Sequence, residues 1–160
     1  MLRPVCLDDA PSLCAIYNHY VTQTHISFEE AAVAANEMRQ RIAKTTESYP
    51  WLVCEEDGAL LGYAYGSKWR ERPAYRFTVE ATVYLHPSSA GKGRGSALLD
   101  ALLTELRQRA LHTVIAVIAL PNDPSIALFK KFGFQQAAHF QQVGHKFGQW
   151  VDVANLQRVL

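Results

Sequence analysis

Cysteine is scarce in this chain. Cys6, Cys14 and Cys54 are an odd number, widely spaced and each set among apolar neighbours, so buried reduced thiols are favoured over a disulfide or metal framework. Long apolar runs are missing as well: the longest, at 114–120, is far too short to span a bilayer. Residues 1–9 turn acidic at Asp8 and Asp9 before the apolar region of a secretory signal can form, which points to a cytoplasmic protein without a membrane partner. Neither sign of charge is in excess. A formal net charge of +1 argues against nucleic acid as a partner, because its binders carry a strongly basic face or stripe. The histidines at 19, 25, 86, 112, 139 and 145 lack ligand spacing, so no metal is expected. Repeats, low-complexity tracts and linkers are absent too, and 160 residues suffice for one domain, 1–160, with an unstapled core.

What is present is a regular alternation of elements. Residues 2–6 read as a first strand, and Asp8 or Asp9 as the cap of a helix with Pro11 in its first turn and Leu13, Ile16, Tyr17 and Tyr20 on one face. A second helix is expected over much of 31–44, with Met38 and Ile42 inward. The runs 50–55 and 59–65, joined by Glu56-Asp57-Gly58, form a hairpin. The run 76–85 places Phe77, Val79, Ala81, Val83 and Leu85 on one face and Thr78, Glu80, Thr82 and Tyr84 on the other, unless a bulge changes the assignment. The run 114–120 suits a strand buried on both faces. Asp123 precedes Pro124 as an N-cap precedes N1, and Gly133 sits where a glycine ends a helix, which gives a helix over 124–132. Residues from 134 onward and 151–160 supply the last strands around a glycine-rich turn at 144–148. This order is that of a mixed α/β sheet with helices on both faces.

The most informative stretch is 82–99. A β-rich segment stops at Pro87, crosses glycines at 91, 93 and 95, and enters a helix anchored by Leu98, Leu99, Leu102, Leu103 and Leu106. Glycine lets the backbone approach a ligand, the first amides of the helix are unpaired, and both they and the helix dipole favour phosphate. Lys92 and Arg94 add positive charge. The spacing is not that of a P-loop, which requires Gly-x-x-x-x-Gly-Lys-Ser/Thr, and it fits a dinucleotide fingerprint poorly. On these residues alone, a tight connection and a phosphate site stand as equal readings.

The run Gly91-Lys92-Gly93-Arg94-Gly95, after Val83-Tyr84-Leu85 and before a leucine-rich helix, resembles the acetyl-CoA loop of the GNAT superfamily of N-acetyltransferases. More narrowly, Tyr75-Arg76-Phe77-Thr78-Val79-Glu80, Leu120-Pro121-Asn122-Asp123-Pro124-Ser125 and Gly144-His145-Lys146-Phe147-Gly148-Gln149-Trp150-Val151-Asp152 resemble its phosphinothricin and amino-acid N-acetyltransferase branch. The resemblance implies a mostly antiparallel central sheet in which two neighbouring strands splay apart and form the acetyl-CoA cleft. It also implies that the backbone of Val83, Tyr84 and Leu85 pairs with the pantetheine arm, that Gly91, Lys92, Gly93, Arg94, Gly95 and Ser96 hold the pyrophosphate, and that Asn122 touches the cofactor. Glu80 becomes the candidate general base, against a solvated strand edge or a structural partner for Arg76. Phe28, Arg72 and Tyr75 become substrate residues, with a hydrophobic plug as the alternative for Phe28 and a solubilising charge for Arg72. Related enzymes often form homodimers, so a homodimer is expected.

Two positions depart from the pattern. Ala90 replaces the Gln or Arg common at the head of the loop, and Phe129 replaces a Tyr or His that serves the thiolate or the proton transfer. Tyr84 has the hydroxyl that Phe129 lacks. His145, Lys146 and Trp150 read as site-bordering, fold or dimer residues. The implied function is acetyl-CoA-dependent N-acetylation of a small amino acid or analogue, of the phosphinothricin, methionine sulfoximine or methionine sulfone type. The rivals are acetylation of a peptide or polyamine amine, a CoA-binding protein with weak catalysis, and a nicotinamide-nucleotide module.

Overall fold

In the hairpin turn, Asp57 and Gly58 take φ of 50° and 77°, the paired left-handed conformation that a two-residue connection demands. Around it lie β2 (Trp51–Glu56) and β3 (Ala59–Lys68). The computed structural model describes residues 1–160 and adds β1 (Leu2–Pro4), α1 (Ala10–Gln23), α2 (Ala35–Thr46), β4 (Thr78–Leu85), α3 (Arg94–Gln108), β5 (Thr113–Ala119), α4 (Asp123–Lys131), β6 (Gln135–Lys146) and β7 (Gln149–Val159). All seven strands join one sheet of order β1-β2-β3-β4-β5-β7-β6, antiparallel except at β4 and β5.

Each sheet face carries its own core. Val79, Ala81, Val114 and Ala116 pack against the leucine stripe of α3 and against Phe129 of α4. On the opposite face, Val53 and Tyr63 pack against Leu13 and Ile16 of α1 and Met38 and Ile42 of α2. The alternation expected along β4 holds, and its register with β3 runs unbroken from Gly62–Leu85 to Lys68–Val79, without a bulge. No helix is long and apolar enough to cross a membrane.

Several boundaries differ from the sequence reading, in three cases because a polar side chain is used elsewhere. Asp9 does not cap α1 with its carboxylate. Its two oxygens accept from the Arg3 guanidinium at 2.8 and 2.9 Å and from the Cys6 amide, so residues 7–9 form a separate 3-10 turn. The second helix starts at Ala35, not 31, because the Asn18 amide holds both the N–H and the C=O of Val33 in extended backbone. The strand expected from 76 begins at Thr78, after a 3-10 turn at Pro73–Tyr75. The cap of α4 is Asn122, whose side chain accepts from the Ser125 amide at 3.4 Å, so Asp123 is already inside the helix. Further expectations change: Cys6, read as a buried thiol, is exposed, the turn read at 144–148 is confined to 147–148 because β6 runs to Lys146, and Val117, in the strand read as buried on both faces, is 41% exposed.

Candidate active site

The exposure of Val117 marks the place where the sheet opens. β4 and β5 pair through only three positions, ending at Glu80 and Ile115. Beyond that point β4 stays with β3 as far as Leu85, and β5 stays with β7 along its whole length. The two strands therefore part, and the inner end of the wedge is lined by Ala81, Thr82, Val83, Ala116, Val117, Ile118 and Ala119. Ile26, Asn122, Ser125 and Phe129 close it. This inner space is about 50 Å³, and it widens to about 230 Å³ at a mouth lined by Tyr20, Tyr84, Leu85, Asn122, Ser125 and Leu128.

Ladder geometry fixes which groups face the gap. His86 donates its N–H to Leu61, so by the alternation of an antiparallel pair Tyr84, Thr82 and Glu80 also turn their backbone groups toward β3. Phe77 accepts from Thr113 on the other side, so the odd residues face β5 and, past Glu80, the open gap. Val83 and Leu85 thus present backbone to the gap, as the resemblance implies. Tyr84 does not: its backbone belongs to the ladder opposite Tyr63, and its contribution to the gap is its side chain.

At the mouth the chain turns into the glycine loop. Gly91 and Gly93 hold φ of 77° and 76°, with nothing within 4 Å of where a Cβ would stand. The loop is thus open on its outer side, and the amides that begin α3 at Arg94 lie behind it. Gly95 packs under Leu128 and Leu85, Lys92 is exposed, and Ser96 accepts from Lys131 at 3.1 Å. Arg94 does not extend its charge over the loop. Its guanidinium pairs with Glu56 of the β2–β3 hairpin and is mostly buried, with Nε and Nη1 unpartnered. A cation at a helix N-terminus meets an unfavourable dipole, which the Glu56 carboxylate offsets.

Glu80 occupies the last paired position before the gap, opposite Ser67 on β3. Its carboxylate makes no ion pair, and burial raises its pKa above the ordinary carboxylate value. Arg76 is not its partner, because that guanidinium binds the Pro73 carbonyl at 3.0 Å and lies over the Phe77 ring. Tyr84 shares the face of Glu80, and burial pushes its phenol well above the usual range, so it stays protonated. Phe129 is 3% exposed, lines the inner gap and packs edge-on against Phe134 at 5.0 Å.

The segment between α1 and α2 crosses the gap and is pinned at three points. His25 Nε2 lies 3.3 Å from the Pro121 carbonyl. Phe28 sits so close over Gly144 that a Cβ there would stand 2.4 Å from its ring. Lys146, 2% exposed, donates to the carbonyls of Val21 and Ser27 at 2.7 and 2.5 Å. Phe28 thereby acts in part as a plug, though 44% of it remains exposed. Arg72 and Tyr75 lie on the β3–β4 connection, both exposed, with Arg72 free of any ion pair, and neither lines the gap. Sequence reasoning missed Tyr20, Ile26 and Ser125 as gap residues, because nothing local distinguishes them from core or cap positions.

A sheet wedged open beside a glycine loop defines a class of acyl-CoA-handling enzyme, and comparison with known proteins agrees. Residues 2–154 match the acetyltransferase (GNAT) domain family. The chain is 42% identical to the phosphinothricin N-acetyltransferase of Alcaligenes faecalis over 161 residues, covering 99% of this chain and 82% of that one. It is 39% identical to the L-methionine sulfoximine/L-methionine sulfone acetyltransferase of Salmonella typhimurium, covering 93% and 88%. The crystal structure of a GNAT superfamily phosphinothricin acetyltransferase from Sinorhizobium meliloti in complex with AcCoA superposes with a TM-score of 0.96 at 38% identity, covering 100% of this chain and 88% of that one. The chain belongs to the GNAT acetyltransferase family and is an acetyl-CoA-dependent N-acyltransferase.

The site fits that cosubstrate. The open, positive-φ loop with helix amides behind it suits a pyrophosphate, and the unpaired edge of β4 suits an arm containing amides. Replacing Gly93 with alanine meets no steric obstacle but forces a left-handed alanine, a cost of roughly 1–2 kcal/mol. The free loop relieves that strain by leaving the binding conformation and must be returned to it by the ligand, so the expected result is an acetyl-CoA KM raised by up to about five- to thirtyfold with kcat little changed, since 1.4 kcal/mol is about tenfold. An unchanged KM in steady-state assays would mean that the loop does not cradle phosphate.

Proposed function

We propose that this enzyme acetylates the α-amino group of a small amino acid or amino-acid analogue, of the phosphinothricin, methionine sulfoximine or methionine sulfone type, by direct transfer. The observation that carries the reading is Glu80: a half-buried carboxylate without a cationic partner at the point where β4 and β5 separate. Bound acetyl-CoA supplies an activated thioester. Glu80, with its raised pKa, removes a proton from the incoming ammonium, directly or through water. The gap-facing N–H of Val83 polarises the acetyl carbonyl. The amine nitrogen bonds to the acetyl carbon, the carbon–sulfur bond breaks, and the departing CoA thiolate takes up a proton; Tyr84, neutral and lining both the inner gap and the mouth, carries a hydroxyl suited to supply it where Phe129 has none. Cys14 and Cys54 are buried in the two cores and away from the gap lining, which supports transfer without an acyl-enzyme.

Arg72 has no partner on its own chain, and its planar fork suits the carboxylate or phosphinate of such a substrate. Free-thiol release from acetyl-CoA across a panel of amino acids, phosphinothricin, methionine sulfoximine and polyamines tests the whole reading. Arg72→Ala should raise the amino-acid KM by about ten- to a hundredfold, the worth of a charged hydrogen bond. Indifference of the KM to that change, with polyamines as the better substrates, favours the polyamine alternative. Tight CoA binding with no thiol release for any amine favours a CoA-binding protein with weak catalysis. The chain is further proposed to act as one domain and as a cytoplasmic homodimer. Phe140, Val143, Phe147 and Trp150 on the β6–β7 hairpin are 47–65% exposed, and this concentration of exposed apolar side chains supports the dimer.

A further inference from the structure

The gap-facing edge of β4 is not equally free along its length. Val83 offers both its N–H and its C=O, and Leu85 offers its N–H, by the alternation that the His86–Leu61 bond sets. The Leu85 carbonyl already has a partner: the Tyr20 hydroxyl, reaching from α1, donates to it at 2.5 Å and takes up one of its two lone pairs. Tyr20 lines the mouth of the gap together with Val83, Tyr84, Leu85, Asn122 and Ser125. Its ring rests on Tyr84 at 5.1 Å, so the hydroxyl is held in place from behind. Burial keeps the phenol protonated, and a phenol that must donate to Leu85 cannot also donate to a ligand.

We propose that Tyr20 is a positioning residue for acetyl-CoA, which partly occupies the outermost acceptor of the β4 edge so that the amides of the pantetheine arm pair preferentially with the inner ones. The inference rests on the proposed use of the gap by acetyl-CoA. An arm with amide N–H groups finds chemically identical carbonyls every second residue along a strand edge, a repeat of roughly 6.6–6.8 Å. Partly occupying the outermost one disfavours the shifted alternative, and with the pyrophosphate anchored at the loop it sets how deep the thioester lies relative to Glu80. Register along a strand is only weakly specified unless something pins it, and here the pin comes from a helix rather than from the strand itself.

Two measurements test this, using Tyr20→Phe, which keeps the ring and its packing and removes only the hydroxyl. By NMR, the Leu85 carbonyl carbon of the wild type should barely shift on addition of CoA, because its hydrogen bond is already made. In Tyr20→Phe it should shift downfield on CoA binding, as the released carbonyl takes a ligand N–H. Kinetically, kcat should fall about tenfold or more from misplacement of the thioester, while the Kd of acetyl-CoA stays within about threefold and that of adenosine 3′,5′-bisphosphate, which lacks the arm, does not change. Equal Leu85 responses in both proteins, or a Tyr20→Phe enzyme with wild-type kcat, would overturn the proposal while leaving the cofactor reading intact. Failure of the wild type to bind acetyl-CoA would instead overturn that reading and this proposal with it.

Discussion

Glu80→Gln lowers kcat by about 10²–10⁴, the range supplied by a positioned general base, and leaves the Kd of acetyl-CoA unchanged. Glutamine preserves the shape of the side chain at the last paired position of β4, so the wedge stays open and only the proton acceptor is lost. The pH dependence carries a second signature. A base works when deprotonated, so kcat rises with pH through the Glu80 pKa and then levels off. Burial raises that pKa, which moves the rise to higher pH than an exposed carboxylate would give. In Glu80→Gln this limb should vanish. A variant within threefold of wild type at all pH values would place the base elsewhere, and Glu80 would be a desolvated structural carboxylate.

Lys146→Met should destabilise the fold and loosen the segment over the gap at the same time. The ammonium of Lys146 donates to the carbonyls of Val21, in the last turn of α1, and Ser27, in the segment that crosses the gap. Methionine fills much of the same space and relieves the buried charge, whose desolvation lowers the lysine pKa, but it orphans both acceptors. A loss of about 2–4 kcal/mol is expected, from two buried carbonyls at roughly 1–3 kcal/mol each less the relieved charge. The segment it frees carries Phe28 and Ile26, so the amine KM should rise more than the acetyl-CoA KM. Denaturant unfolding reads the first effect and two-substrate kinetics the second. A stability change below about 0.5 kcal/mol, the size of an ordinary surface substitution, would show that the pin is redundant.

Local physics made much of this protein legible. The Asp57-Gly58 turn, the alternation along β4, the leucine stripe of α3 and the positive-φ glycines at 91, 93 and 133 all follow from preferences acting within a few residues. The motif resemblance added the splayed sheet, the loop and Glu80, because those motifs recur as intact local units. What failed was the destination of long or polar side chains. Arg94 reads as a phosphate ligand until the hairpin brings Glu56 beside it, 38 residues earlier in the chain. Asn18 delays α2 by binding Val33, and Asp9 abandons its helix for Arg3.

The amino-acid sequence by itself determined most of the elements, the glycine-rich turn from β4 into α3 and the acidic residue in a β-rich run. Only the tertiary structure decided where β4 and β5 part, that Tyr84 turns its backbone away from the gap, and that Arg76 leaves Glu80 unpaired. It alone brought Tyr20 to Leu85 across 65 positions and Lys146 to Val21 across 125. The physical reason is that turn, strand and cap preferences are set by neighbours in sequence. Hydrogen-bond partners and desolvation are set by neighbours in space, and those exist only once the chain has closed its two cores around one sheet.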